Sequence, residues 1–256
     1  MPPSPSARGL LRWEVVRELA VSDFRLKYYD SALGYAWSML SPLLMLAVFY
    51  FVFRFVVGVT TPGYLVYLLV GLVCWTFFQD CSYSGLTALA SKAGVLKAVH
   101  VPAGLVVAAG VLSTLITLAI NSAVLVVVLG LAGKLSPLAP LALLPLLCLA
   151  LLAAGTSFLV ALAGVQFRDV GLIWSVLLQA GFWLTPVVYV ANTGPVAELL
   201  YLNPVARCLH LIRWFLLYDY LPTPRFVVLT VAVCAGTFLL GVTLFLRRQS
   251  TIPESL

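Results

Sequence analysis

Six long apolar runs constrain this chain more than any other feature. They cover residues 35–57, 64–89, 105–131, 138–164, 172–190 and 226–246. An α-helix needs roughly 20 apolar residues to cross a hydrocarbon core of about 30 Å, and each run meets or closely approaches that length. None alternates with the period of two that marks an outer-membrane barrel strand. The expected fold is therefore an all-α integral membrane protein with six transmembrane helices, a single transmembrane domain over residues 1–256. Composition agrees, with 62% of residues hydrophobic and 9% charged, against about 25% charged in a soluble domain. The first run arrives too late, and continues too far, for a cleavable signal peptide.

The segments between the runs carry the charge. Residues 10–29 form a helix with Trp13, Val16, Ala20, Phe24 and Tyr28 on one side. Arg17 and Lys27 intrude on that side, but long basic side chains snorkel, so the segment is expected to lie at the membrane interface. Tyr28, Tyr29, Tyr35 and Trp37 then fall where amphipathic rings favour the headgroup level. Residues 91–101, SKAGVLKAVHV, are basic and end before Pro102, which suits two or three helical turns outside the membrane. Residues 195–220 are apolar yet hold Glu198, Asn203-Pro204, Arg207, His210 and Arg213. A helical wheel groups Arg207, His210, Arg213 and Trp214 on one face, with Leu209, Leu211, Ile212, Phe215 and Leu216 opposite. The expected element is a surface-lying or re-entrant helical hairpin broken at Asn203-Pro204, its basic face toward water or headgroups.

Six spans put both termini on one side. Arg8, Arg12, Arg17, Arg25, Lys27, Lys92, Lys97, Arg168, Arg247 and Arg248 share it, whereas Lys134, Arg207, Arg213 and Arg225 lie opposite and Arg54 falls inside the outer end of the first span. By the positive-inside rule both termini are cytoplasmic. A seventh span at 195–220 would send Arg247-Arg248 outside, so six is the better count.

No enzyme constellation is present. The nine acidic residues are dispersed and the two histidines fall on opposite sides of this topology. Metal-ligand spacing, the nucleophile elbow and the phosphate-binding GxxxxGK[ST] loop are all missing. We expect no catalytic residue, no metal and no cofactor bound by this chain. The net charge of +6 does not point to nucleic acid, because the basic residues sit between apolar runs. Cys74, Cys81, Cys148, Cys208 and Cys234 are scattered in apolar surroundings and read as small hydrophobes. Asp80 is the strongest candidate for an acid within a span, expected at a hydrated interface or in a helix–helix hydrogen bond. The first span is rich in rings, Phe49, Tyr50, Phe51, Phe53 and Phe55, and the fifth carries Trp174, Phe182, Trp183 and Tyr189. Such rings either pack against lipid or line a path on which sugars stack.

Four stretches carry a family resemblance: residues 24–44 (FRLKYYDSALGYAWSMLSPLL), 71–102 (GLVCWTFFQDCSYSGLTALASKAGVLKAVHVP), 167–189 (FRDVGLIWSVLLQAGFWLTPVVY) and 202–217 (LNPVARCLHLIRWFLL). In this order and spacing, over nearly the whole chain, they resemble the permease subunit of ATP-binding-cassette polysaccharide exporters of the O-antigen, capsular and teichoic-acid type. The resemblance implies a homodimer in the bacterial cytoplasmic membrane, with two copies of a separate ATPase that holds ATP and Mg. It implies a coupling helix at 91–101, whose Ser91, Lys92, Val95, Leu96, Lys97 and His100 face the ATPase. It implies that a lipid-diphosphate-linked glycan docks its headgroup at Arg25, Lys27, Tyr28 and Tyr29. The glycan would then pass Phe49, Tyr50, Phe53, Trp174, Phe182, Trp183 and Tyr189, and leave by an extracellular hairpin bearing Arg207, His210, Arg213 and Trp214. Ala98-Val99-His100 departs from the Lys and aromatic that such permeases often carry before the proline. The same architecture with a drug or lipid cargo is the nearest alternative, and a membrane-embedded glycan transferase the next.

Overall fold

The computed structural model describes residues 5–28, 34, 37–92, 94, 101–167, 169–190 and 195–249. Among them every regular element is helical: α1 (Pro5–Tyr28), α2 (Trp37–Phe51), α3 (Tyr64–Ser91), α4 (Ala103–Leu131), α5 (Leu143–Gln166), α6 (Val170–Leu184), α7 (Pro195–Leu200), α8 (Pro204–Leu217) and α9 (Pro224–Arg248). A π-helical turn, Val52–Val56, continues α2, and a 3-10 turn, Ala139–Ala142, precedes α5. Among the described residues four helical stretches are long and apolar enough to cross a membrane: Tyr64–Ser91, Ala103–Leu131, Ala139–Gln166 and Pro224–Arg248. Leu40–Val56 and Val170–Leu184 are shorter apolar helices.

Helix α3 is the centre of the bundle. It is buried on every side from Val66 to Trp75, as a helix surrounded by others must be, and Leu68, Val70, Leu72 and Cys81 are completely enclosed. Against it pack α4, α5, α2, α6 and α8. Close crossings rest on small residues, as expected where no hydrophobic force separates helix from lipid. A Cβ on Gly85 of α3 would lie 2.2 Å from Ser157 Oγ of α5, and one on Gly241 of α9 would lie 2.2 Å from the Gly155 carbonyl oxygen of α5. The outward faces stay apolar: Leu131 and Leu172 are 85% and 74% exposed. These surfaces have the character of a lipid boundary.

The two ends of the bundle differ. One gathers α7, α8 and the turns at 58–63 and 132–138; Gly133, at φ +62°, closes α4 there. Ser136 N–H donates to the Leu216 carbonyl (3.1 Å) and its hydroxyl donates to the Asp219 carboxylate, which ties that turn to the end of α8. At the other end Ala88, Leu89, Ala103, Val106, Phe158 and Phe245 form a separate apolar cluster.

Helix α6 stops at Leu184, short of the run expected to reach 190. Thr185 precedes Pro186 and takes an extended backbone, φ −103° and ψ 133°, because a residue before proline is disfavoured in the α region. Residues 185–190 are non-helical. On α1, Val16 and Ala20 are buried against Leu105, Ala108, Ala109 and Leu112 of α4, so its apolar side faces a helix. Trp13, expected on that side, is 57% exposed.

Candidate functional site

Three features can serve transport: an aromatic groove, a polar groove and the helical hairpin. The aromatic groove lies between α2 and α6, floored by α3, with a volume of about 390 Å³. Met45 and Phe49 form one wall; Ser175, Leu178, Gln179, Phe182 and Trp183 form the other; Leu72, Thr76, Gln79 and Tyr83 lie beneath. Phe49 stacks on Phe182 at 5.5 Å, and Trp183 meets Phe182 edge-on at 5.3 Å. Trp75 supports Phe182 from below and donates from Nε1 to Gln79 Oε1 at 3.2 Å. Ring faces beside amides and hydroxyls suit a chain of pyranoses, whose two faces are partly apolar while their edges carry hydroxyls.

Of the seven aromatics expected along a pathway, the structure brings Phe49, Phe182 and Trp183 to this groove. Tyr50 and Phe53 turn instead to Tyr64, at 6.4 and 6.3 Å. Trp174 donates from Nε1 to Ser82 Oγ at 3.2 Å. Tyr189 bends back and donates its hydroxyl to the Trp183 carbonyl at 3.0 Å, which braces the rim.

The polar groove runs between α1, α3 and α4. Two adjoining cavities of about 390 and 350 Å³ share Lys27, Asp80, Thr114 and Thr117. Lys27 pairs with Asp80 at 2.8 Å, so the acid within a span sits opposite a cation. Both partners are about half exposed, and such a pair contributes little to stability. Asp23, one turn before Lys27, pairs with Lys92 at 2.5 Å in a more enclosed setting. The two pairs lash α1 to α3 at both Asp80 and its C-terminal end. Ser91 donates to the Ala88 carbonyl within its own helix, and Arg25 is exposed. Tyr29, Val95, Leu96, Lys97 and His100, and the side chain of Tyr28, lie outside the described residues.

In the hairpin, Asn203 caps α8 by accepting from Val205 N–H (3.0 Å) and donates to Thr185 Oγ1 (2.8 Å). Pro204 then occupies the first turn, where its missing N–H costs nothing. Arg207 donates to Thr230 Oγ1 and the Phe226 carbonyl, both at 3.0 Å, and its guanidinium lies 4.2 Å over the Phe226 ring. His210 sits between Tyr201 and Trp214, with Tyr201 Oη 3.1 Å from Nε2. Burial, with Arg213 beside it, holds the imidazole down at about 4, so it is neutral near pH 7.

Arg213 corrects one expectation. The helical wheel groups it with a water-facing surface, but it is 1% exposed. Its Nη1 donates to the Pro186 carbonyl (2.6 Å), and Nη2 donates to those of Val187 (2.9 Å) and Tyr67 (3.0 Å). The guanidinium centre lies 3.3 Å from the Tyr67 ring centroid. At 100° per residue Arg213 stands about 120° round the helix from Arg207 and about 100° from Trp214, but only about 60° from His210. Burial pushes its pKa down. Tyr64 and Tyr67 complete the set: Tyr64 Oη donates to the Val188 carbonyl (2.5 Å) and Tyr67 Oη to that of Tyr189 (2.9 Å). Neither tyrosine has a sequence signal for this role, because each reads as part of an apolar run.

Among the described residues no group of three His, Cys, Asp or Glu could hold a metal ion, and all five cysteines are free and buried.

Comparison with known proteins adds independent findings. Residues 14–217 match the model of the ABC-2 type transporter family. The chain is 28% identical over 255 residues to an O-antigen export system permease protein, RfbA, of Myxococcus xanthus, covering 97% of this chain and 96% of that one. It is 27% identical over 176 residues to a protein of the same name from Klebsiella pneumoniae, 68% of each chain. It is 22% identical over 247 residues to the polysialic acid transport protein KpsM of Escherichia coli, 94% of this chain and 95% of that one.

Proposed function

The chain belongs to the ABC-2 type transporter family, and from that premise we propose that it is the membrane subunit of a polysaccharide exporter driven by a separate ATPase. The observation that carries this reading is the groove between α2 and α6, with Phe49, Phe182 and Trp183 beside Thr76 and Gln179. Near-full-length similarity to proteins named for O-antigen export and polysialic acid transport supports the same cargo class.

Two copies of the chain form the pathway by facing their aromatic grooves, and each engages one ATPase through residues 91–101. Leu40–Val56 and Val170–Leu184 join the four longer apolar helices to make six spans. Both termini lie in the cytoplasm, and the membrane is the bacterial cytoplasmic membrane. The hairpin of α7 and α8 then marks the outer side. A lipid-diphosphate-linked glycan presents its anionic head to Arg25 and Lys27 beside the polar groove. ATP binding closes the ATPases, and the push reaches α1 through the Lys92–Asp23 pair as well as α3 directly. The head crosses and the glycan follows over the rings, which offer stacking without tight hydrogen-bonded capture.

Depletion of the protein in its own host tests this. Lipid-linked glycan should accumulate on the cytoplasmic face while surface polymer disappears, and exchange of Arg25 and Lys27 for Gln should reproduce the block partially with assembly intact. Normal surface glycan on depletion would show that the cargo is something else.

A further inference from the structure

The unwound segment after α6 is pinned at every carbonyl from Pro186 to Tyr189. Arg213 holds those of Pro186 and Val187, Tyr64 holds Val188, and Tyr67 holds Tyr189. Irregular backbone at membrane depth persists only when its polar groups are satisfied within the protein. Here the donors come from α3 and α8, so three elements meet in one knot. Space for it is left by Gly71 of α3, where a Cβ would lie 2.5 Å from Arg213 Nη2 and 2.6 Å from the Val187 carbonyl oxygen. Among the described residues no carboxylate pairs with Arg213, and its buried Nε has no hydrogen-bond partner. A charge enclosed without a counter-ion is a costly way to build a hydrophobic core, and a residue of this kind is better accounted for by what it holds in place.

What it holds is the far end of one groove wall. Phe182 and Trp183 occupy the last turn of α6, directly before the knot. The opposite wall, α2, is attached differently. Among the described residues no hydrogen bond joins Trp37–Phe51 to another element. Its outer half meets the bundle through apolar contacts alone: Leu46 is buried in the central core, Phe49 stacks on Phe182 and Tyr50 on Tyr64. Pro42 interrupts its first turns and a π-helical turn ends it, and both are places where a helix bends. Stacked rings slide at little cost, whereas pinned carbonyls do not.

We propose that Arg213 is a positioning residue of the export pathway: it locks the end of α6 to α3 and α8 as one fixed wall, and leaves α2 as the wall that moves to admit glycan. This rests on the exporter reading above. The test uses the full exporter in its host, with the five native cysteines replaced and a short bifunctional thiol reagent. Linking Thr185→Cys to Asn203→Cys joins two parts of the fixed unit, and export should continue. Linking Met45→Cys to Leu178→Cys, one turn before the stacked rings on either side, joins the two walls while leaving the rings in place, and export should stop. A block by the first link, or continued export under the second, would overturn the proposal. Arg213→Gln should lose most export at an unchanged level of assembled complex, and the Thr185–Asn203 link should restore it. An assembled Arg213→Gln exporter that works normally, or that the link fails to rescue, removes the role of Arg213. If that variant does not assemble, the two links in the Arg213 background still decide. Glycan export by the unlinked chain is read in the same assay, so failure of the exporter reading shows itself separately.

Discussion

His210 illustrates how much a single side chain in the hairpin depends on its enclosure. Its Nε2 shares a 3.1 Å hydrogen bond with the Tyr201 hydroxyl, and its ring lies 4.2 Å from that of Trp214. Burial and the charge of Arg213 hold its pKa at about 4 in the folded chain, against about 6.5 in an unfolded one. Between those values the unfolded chain binds the extra proton, so stability is lost as pH falls through that window. Thermal unfolding of the purified protein should therefore show a lower midpoint at about pH 5 than at about pH 7. His210→Gln should flatten part of that difference. Arg213 shows why such detail is hard to read from residues alone. Its angle on a wheel separates it from Arg207, but what it binds is an unwound loop brought in from another helix. Only Thr185-Pro186 hints that such a loop exists, and nothing local says which cation reaches it.

Between elements, the crossings of α3, α5 and α9 depend on absent side chains. Gly241→Ala would force a methyl against the Gly155 carbonyl, and overpacking of that sort costs about 1–3 kcal/mol. Gly236, on the same helix, has nothing within 4 Å of its Cβ position. Gly236→Ala should be neutral or slightly stabilising, since alanine is the better helix former by about 1 kcal/mol. Unfolding of the two variants side by side in detergent checks the contrast; equal behaviour would mean that the α5–α9 crossing relaxes freely. The helices themselves were plainly legible, because continuous apolar runs of this length permit little else. Their ends were less so. The stop of α6 at Leu184 follows from a proline, whereas the packing of Val16 and Ala20 on α4 depends on neighbours far along the chain. The pairs Lys27–Asp80 and Lys92–Asp23 are of the same kind: each charge was visible, but not its partner 53 or 69 residues away.

At the scale of the whole molecule, the aromatic and polar grooves are chemically distinct, and in the proposed export mechanism they divide the task. Rings and amides lie between α2 and α6, while cations, acids and hydroxyls lie between α1, α3 and α4. The rings were legible as a class, but their division into groove and core was not, since Phe49 and Tyr50 are adjacent and face different neighbours. The shortness of α6 has a further consequence. Its 15 residues rise about 22 Å, less than the roughly 30 Å of an average hydrocarbon core, and Leu172, Ile173, Val176, Leu177 and Leu184 are open along it. The non-helical residues 185–190 make up part of the difference, and thinning of the lipid beside the helix would supply the rest at a cost of a fraction of a kcal/mol per Å. A thinned bilayer beside the groove shortens the distance over which a charged headgroup leaves water. In proteoliposomes, lengthening the acyl chains should therefore slow headgroup crossing while ATP binding is unaffected, and an export rate indifferent to membrane thickness would show that the short helix leaves the surrounding lipid undeformed.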